Sequence, residues 1–223
     1  MFYTVKAKYF RVIYFIFAVH LYVDRYYMNN KSQDGDVSWI DSDNYEGGYI
    51  ATKYLLELGH RRFLCIRSMQ LRGTRDRFMG FKKALEEYKI NLSDQVVLGD
   101  ARSIIDGHRI IKNFIKKNGK QSLPSAIITV NDAVAIGAME ALLESRINVP
   151  DDVSIIGYDD INIAALVRVP LTTVHQSKFK MGEIAATQLI DKIERMEEGI
   201  ARQFLVKPKL IIRKSCKEYP HEK

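Results

Sequence analysis

Short apolar runs alternate with longer amphipathic segments along most of the chain. Apolar residues recur every three to four positions in five segments, and this spacing predicts helices; they cover residues 42–58, 74–88, 104–118, 132–145 and 177–196. The remaining apolar runs are short, as in buried strands; they cover residues 19–23, 63–67, 96–98, 126–130, 153–157 and 172–175. Strands that alternate with helices of this length form right-handed βαβ units, so we predict an α/β fold with a doubly wound, mainly parallel sheet.

The first predicted helix has clear signals at both ends. Residues 42–44 (Ser-Asp-Asn) supply capping oxygens at its start, and Gly59 allows a left-handed stop after Leu58. Gly47 and Gly48 in its first turn each cost about 1 kcal/mol relative to alanine. We therefore expect the backbone at these two glycines to approach a strand or a bound ligand closely.

Polar side chains follow four of the predicted strands directly. They are Asp24-Arg25, Asn131-Asp132, Asp159-Asp160 and Gln176. Ligands of such sheets bind beyond the carboxyl ends of the strands, so these residues are candidates for a binding cleft. The alternative is that each residue only caps its own turn, since Asn and Asp favour turns as well.

The residue types in this candidate cleft favour a sugar-like ligand. Carboxylate, amide and guanidinium groups can accept from and donate to neighbouring hydroxyls, and charge-assisted hydrogen bonds of this kind contribute about 1.5–3 kcal/mol each. A nucleotide would call for a glycine-rich phosphate loop, and the sequence has neither GxGxxG nor GxxxxGK[ST]. We expect no cofactor.

Composition and charge exclude several classes of protein. Apolar residues make up 47% and charged residues 27% of the 223 positions, which excludes a disordered chain. The net charge of +7 is concentrated in residues 1–31 and 201–223, so a basic DNA-binding face is not indicated. The two cysteines are far apart, and no zinc motif, catalytic elbow or clustered histidine is present, so we expect neither a metal site nor an enzyme.

Several motifs in fixed order resemble the effector-binding domain of the LacI/GalR family of bacterial transcription regulators. They are SDNYEGGYIATKYLLELGHRR (42–62), RFMGFKKAL (77–85), VNDAVAIGAMEAL (130–142), NVPDDVSIIGYDD (148–160), PLTTVHQ (170–176) and LIIRKSC (210–216). The likeness runs from about residue 19 to 216. The spacing around residues 68–81 also resembles arabinose-type repressors, more loosely.

The resemblance implies a fold and a set of ligand contacts. The fold is that of periplasmic binding proteins, in which two α/β lobes are joined by three crossing strands. The implied ligand-binding residues are Asp24, Arg77, Asn131, Asp159 and Gln176. One departure is Ala101, which stands where family members often stack an aromatic ring on the ligand.

The family layout also implies a domain organisation in which one lobe is nearly complete and the other fragmentary. Residues 1–18 are unassigned, and residues 217–223 form a tail. We expect residues 19–41 and 176–204 to be the remnant of the first lobe, and residues 42–175 and 205–216 to form the second.

The resemblance implies a repressor whose effector domain binds a small molecule, with a sugar as the expected ligand. It further implies a homodimer in the cytoplasm, no contact with membranes, and DNA contact only through a helix-turn-helix domain that these residues do not contain. The alternative is a sugar-binding protein of a transport system, which shares the fold. An enzyme on the same scaffold is a third possibility.

Overall fold

The computed structural model describes residues 21–23, 38–68, 72–195 and 202–219, which fall into two units. The smaller unit comprises Met1–Ser42 and Ser177–Val206, and the larger comprises Asp43–Gln176 and Lys207–Lys223. The chain changes unit after Ser42, Gln176 and Val206.

The described residues form nine strands and five α-helices. In chain order the strands are β1 (Leu21–Val23), β2 (Ser38–Ser42), β3 (Phe63–Ile66), β4 (Val96–Leu98), β5 (Ala126–Thr129), β6 (Ser154–Ile156), β7 (Thr173–His175), β8 (Gln203–Val206) and β9 (Lys209–Ile211). The helices are α1 (Asn44–Glu57), α2 (Arg72–Glu87), α3 (Ile104–Asn118), α4 (Asp132–Glu144) and α5 (Lys178–Arg195). Most elements lie within two residues of the predicted bounds. No helix among the described residues is long and apolar enough to cross a membrane.

The larger unit is built on a four-stranded parallel sheet in the order β4-β3-β5-β6. The predicted α/β fold with a parallel sheet is confirmed. Strands β7 and β9 form a separate antiparallel pair, in which Thr173 lies opposite Ile211.

Both faces of this sheet are covered by helices. Because successive side chains of a strand point to opposite faces, Leu64 and Ile66 pack into one cluster with α3 and α4, while Phe63 and Cys65 pack into another with α1 and α2. All four residues of β3 are buried, and so are all four of β5. A parallel sheet buried on both faces explains why these strands are continuous apolar runs rather than alternating ones.

Helices α1 and α2 cross at a pair of glycines. A methyl group at Gly48 would overlap the backbone carbonyl of Arg77, and one at Gly80 would overlap the carbonyl of Tyr45. A methyl group at Gly47 would overlap the phenol ring of Tyr158. Close approach at Gly47 and Gly48 is therefore confirmed, but the expected neighbour was wrong. These glycines face a second helix and a tyrosine, rather than a strand or a ligand.

The smaller unit has a three-stranded parallel sheet in the order β1-β2-β8. Helix α5 is tied to it by a hydrogen bond of 2.7 Å from the Lys192 ammonium to the Ser38 hydroxyl. The opposite side of the helix is solvent-exposed, and the Phe179 side chain at its start is 97% exposed. Strand β2 was not predicted, because its sequence SWIDS is short and is buried at every position, so it lacks the alternation of a half-exposed strand.

Candidate functional site

Arg77 is the centre of a polar network at the carboxyl ends of β5 and β6. Its Nε donates to the Asn44 side-chain oxygen over 2.8 Å, and its Nη1 donates to the Val130 carbonyl over 2.7 Å. Its Nη2 lies 3.3 Å from Oδ1 of Asp159. The guanidinium also stacks on the Tyr158 ring, with its carbon 3.6 Å from the ring centroid. Four contacts thus fix this side chain and hold its charge beside a carboxylate.

Asp159 is held in an uncommon backbone conformation. Its φ is +108°, in a region that side chains rarely adopt, and such a residue costs on the order of 1–3 kcal/mol. Its backbone N–H donates to the Val174 carbonyl over 2.9 Å, and Nε2 of Gln176 donates to its Oδ1 over 2.6 Å. The strained turn places the Asp159 carboxylate between Arg77 and Gln176. Strain that is over-determined by neighbours in this way is characteristic of functional positions.

The next residue, Asp160, serves a structural role. Its carboxylate accepts from Nη2 of Arg213 over 2.6 Å and lies 2.9 Å from Nδ1 of His175. Burial alone would raise the pKa of Asp160, but the hydrogen bonds from Arg213 and His175 outweigh it and lower the pKa below 3.8. Asp160 is therefore ionised and fixes the end of β7, which leads to Gln176.

A buried carboxyl group lies beneath this turn. Asp132 accepts hydrogen bonds from the Thr173 hydroxyl and from the Ile161 backbone N–H. The pKa of Asp132 is raised to about 6, mainly by burial; the hydrogen bonds from Thr173 and Ile161 act to lower it, and the nearby charges of Asp159 and Asp160 act to raise it. The group links α4 to the start of β7 and to the segment that follows β6.

Asn131 lies next to the network, but its polar atoms have local partners. Its Oδ1 accepts from the Val134 N–H over 2.9 Å and so caps α4, while its Nδ2 donates to the Arg102 carbonyl over 3.2 Å. The Val130 carbonyl, one residue earlier, is the group that Arg77 binds.

Of the five predicted ligand-binding residues, Arg77, Asp159 and Gln176 share one connected network, and Asn131 adjoins it. Asp24 lies outside the described residues. Ala101, which stands where family members often carry an aromatic ring, is fully buried, and its N–H donates to the Arg67 carbonyl over 3.4 Å.

Two members of the network were not predicted as site residues. Asn44 belongs to the Ser-Asp-Asn segment, which we interpreted as a helix cap; the capping oxygen comes from Asp43, and the Asn44 amide binds Arg77 instead. Tyr158 directly precedes the predicted Asp159-Asp160 pair and was not itself predicted to belong to the site. In both cases the partner is 33 or more residues away in the chain, and no local pattern reports such a contact.

The two cysteines are not reactive groups in this structure. Burial raises the pKa of both Cys65 and Cys216 to about 12, so each is a protonated thiol at neutral pH. Among the described residues, no group of three His, Cys, Asp or Glu side chains could hold a metal ion.

Comparisons with known proteins agree with this architecture. Residues 52–216 match the family model described as a periplasmic binding protein-like domain. The chain is 39% identical over 181 residues to the HTH-type transcriptional repressor PurR of Haemophilus influenzae (strain PittEE). That match covers 80% of this chain and 53% of the repressor, so the chain spans about half the length of the curated relatives it matches.

Solved structures of similar fold include proteins with bound sugars. A ribose-bound LacI family transcriptional regulator from Enterococcus faecium is 27% identical, with a TM-score of 0.78 over 91% of this chain and 72% of its own. The complex of the transcriptional regulator CelR with cellobiose is 26% identical, with a TM-score of 0.76 over 87% of this chain and 58% of its own.

Proposed function

Because the chain belongs to the periplasmic binding protein-like family, in the form that LacI/GalR regulators carry as their effector-binding domain, we propose that it binds a small polyhydroxylated effector such as a sugar. The observation that carries this proposal is the network of Arg77, Asp159 and Gln176. It places a carboxylate, a guanidinium and an amide together at the sheet edge where ligands of such folds bind.

The chemistry of the network suits adjacent hydroxyl groups. A carboxylate accepts from one or two hydroxyls, and the guanidinium and amide donate to their oxygens. The contacts from Asn44 and Tyr158 fix Arg77 in advance, so little side-chain entropy is lost on binding. The sugars bound to two of the similar structures support the same class of ligand.

Calorimetric titration with a panel of pentoses, hexoses and disaccharides tests the proposal. We expect at least one sugar to bind the wild-type chain, and the substitution Asp159→Asn to weaken its binding by about 10- to 100-fold, because a charge-assisted hydrogen bond contributes about 1.5–3 kcal/mol. Asp94→Asn is the matched control, since Asp94 is exposed and precedes β4 at the opposite edge of the sheet. Equal affinity in the two variants would contradict the proposal.

We further propose that the domain regulates transcription as part of a repressor. The named relatives are HTH-type transcriptional repressors, and a transport receptor is accordingly not favoured. Effector binding would shift the repressor between a DNA-binding and a released arrangement. In this proposal the repressor contacts DNA through a helix-turn-helix domain, and the protein acts in the cytoplasm.

A homodimer is the proposed assembly, and an apolar surface of the larger unit supports it. Leu166 is 82% and Ile105 77% exposed, and Ile104 and Ile163 are exposed as well. The segments that carry them flank the start of α4, because Asn131 binds the Arg102 carbonyl and Asp132 binds the Ile161 N–H. Exposed apolar surfaces of this kind mark protein interfaces.

Sedimentation velocity tests the assembly. We expect a dimer for the wild-type chain and a monomer for Leu166→Glu, with Phe179→Glu as control, because Phe179 is even more exposed than Leu166 but belongs to the smaller unit. Dissociation by the control alone would place the interface elsewhere.

A further inference from the structure

A small cavity lies directly beside the Arg77 network and is lined by a second arginine. Its walls are the carboxyl ends of β3, β5 and β6 together with α1 and α2. Arg67 follows β3 and lines this cavity with Arg77, Thr74, Phe78 and Tyr158. Two arginines therefore line one small cavity.

The positive charge of Arg77 is compensated within the protein. Asp159 lies 3.3 Å from its Nη2, and the Asn44 oxygen and Val130 carbonyl accept from its other donors. Arg77 and Asp159 together are close to neutral, which is suited to hydroxyl groups.

The charge of Arg67 has no such partner. None of the described carboxylates forms an ion pair with Arg67, and its Nε–H is buried without a hydrogen-bond acceptor. Asp76, an acid on the neighbouring helix α2, pairs with Arg72 instead. A buried donor that has no acceptor costs about 1–3 kcal/mol, and more when it belongs to a charged group.

Arg67 is nevertheless held in a defined position. Its guanidinium carbon lies over the Phe78 ring, 4.7 Å from the centroid, and the backbone N–H of Arg67 donates to the Leu98 carbonyl over 2.9 Å. A contact with a ring face does not use the N–H groups of the guanidinium as hydrogen-bond donors to an oxygen acceptor. A planar fork of donors suits the oxygens of a phosphate or a carboxylate.

We infer that the effector carries an anionic oxygen group, as in a sugar phosphate or a sugar acid, and that Arg67 binds this group while Arg77, Asp159 and Gln176 bind the hydroxyls. This inference rests on the proposed function and narrows its ligand class. Such a group needs no glycine-rich phosphate loop here, because the Arg67 guanidinium supplies the hydrogen-bond donors to its oxygens. Because Ala101 has no ring to stack on a sugar, polar contacts of this kind would supply a larger share of the binding free energy.

Paired ligands test the inference. Ribose is compared with ribose 5-phosphate and ribonate, and glucose with glucose 6-phosphate and gluconate, by calorimetric titration of the full chain. We expect at least one anionic member to bind at least about 10-fold more tightly than its neutral parent, by the strength of one charge-assisted hydrogen bond. A preference for the phosphate or for the carboxylate identifies the acidic group.

Arg67→Gln should abolish this advantage, and Arg67→Lys should retain part of it. Arg62→Gln is the matched control, because Arg62 is exposed at the opposite end of β3. If Arg67→Gln fails to fold, salt provides a second measurement on the wild-type chain. Raising ionic strength from about 0.05 M to about 0.5 M should lower the affinity for the anionic ligand and leave the affinity for its neutral parent unchanged, because salt screens the attraction between Arg67 and the anionic group.

The outcomes separate this inference from the proposed function. Tighter or equal binding of the neutral parents, or an anionic advantage that survives Arg67→Gln, overturns the inference and leaves a sugar-binding domain. Binding of no ligand in the panel, neutral or anionic, overturns both.

Discussion

Two polar side chains that follow strands of the same sheet have different kinds of partner. Asn131 and Asp159 both follow strands and both belong to family-like motifs, yet the side chain of Asn131 caps α4 while that of Asp159 meets Arg77 and Gln176. The sequence predicts the residue types and their place at the sheet edge. It does not predict the partner, because the same side-chain atoms of Asn and Asp can cap a helix or bind a ligand.

The buried carboxyl of Asp132 makes a prediction about pH. Its pKa is about 6 in the folded chain and about 3.9 in an unfolded one, so between these values the folded state holds a proton that the unfolded state has lost. The contribution of Asp132 to stability is therefore greatest below about pH 4, falls as pH rises to about 6, and stays low above it. The whole change is at most about 3 kcal/mol.

Urea unfolding of Asp132→Asn at several values between about pH 4 and pH 7 tests this. We expect the variant to lose less stability than the wild type across that range, because an amide does not titrate. Asp94→Asn should follow the wild-type curve. A variant slope equal to that of the wild type would refute the role of Asp132.

At the scale of elements, periodicity predicted the helices and most strands well. Helix α3 and strand β4 have the predicted bounds, because their apolar residues follow a single period and their ends carry capping or turn residues. Strand β2 was missed for lack of alternation, and β8 and β9 were not predicted as strands either. The crossing of α1 and α2 could not be predicted, because two glycines in different helices do not show that they face each other.

The crossing of α1 and α2 links the packing of these helices to the position of Arg77 in the candidate site. Gly48 packs against the backbone of Arg77, so a methyl group there would push α2 away and displace the guanidinium. We expect Gly48→Ala to lower the free energy of unfolding by about 1–3 kcal/mol, as overpacking does, and to weaken sugar binding as well.

Gly182→Ala is the control for this substitution. Gly182 lies within α5 with nothing near its missing Cβ, so alanine should leave stability unchanged or raise it by up to about 1 kcal/mol. Chemical unfolding and calorimetry of both variants measure the effect. Gly48→Ala with wild-type stability and affinity would show that the helices adjust freely.

At the scale of the whole molecule, the protein family was the property that the sequence predicted best. Motifs spread from residue 42 to 216 pointed to the same domain that the family match covers over residues 52–216. The identity of the ligand does not follow from the family, since it depends on a few side chains that vary within one fold. Arg67 illustrates this: in the sequence it only ends an apolar run, and only the structure shows that it lines a cavity with α1 and α2 and forms no ion pair with a described carboxylate.

A crystal structure of the chain soaked with the tightest-binding sugar of the panel tests the central claim most directly. We expect the ligand at the carboxyl edge of the β4-β3-β5-β6 sheet, with hydroxyl oxygens within hydrogen-bonding distance of the Asp159 carboxylate and the Arg77 guanidinium. A sugar bound elsewhere, with Arg77, Asp159 and Gln176 contacting only one another, would contradict it.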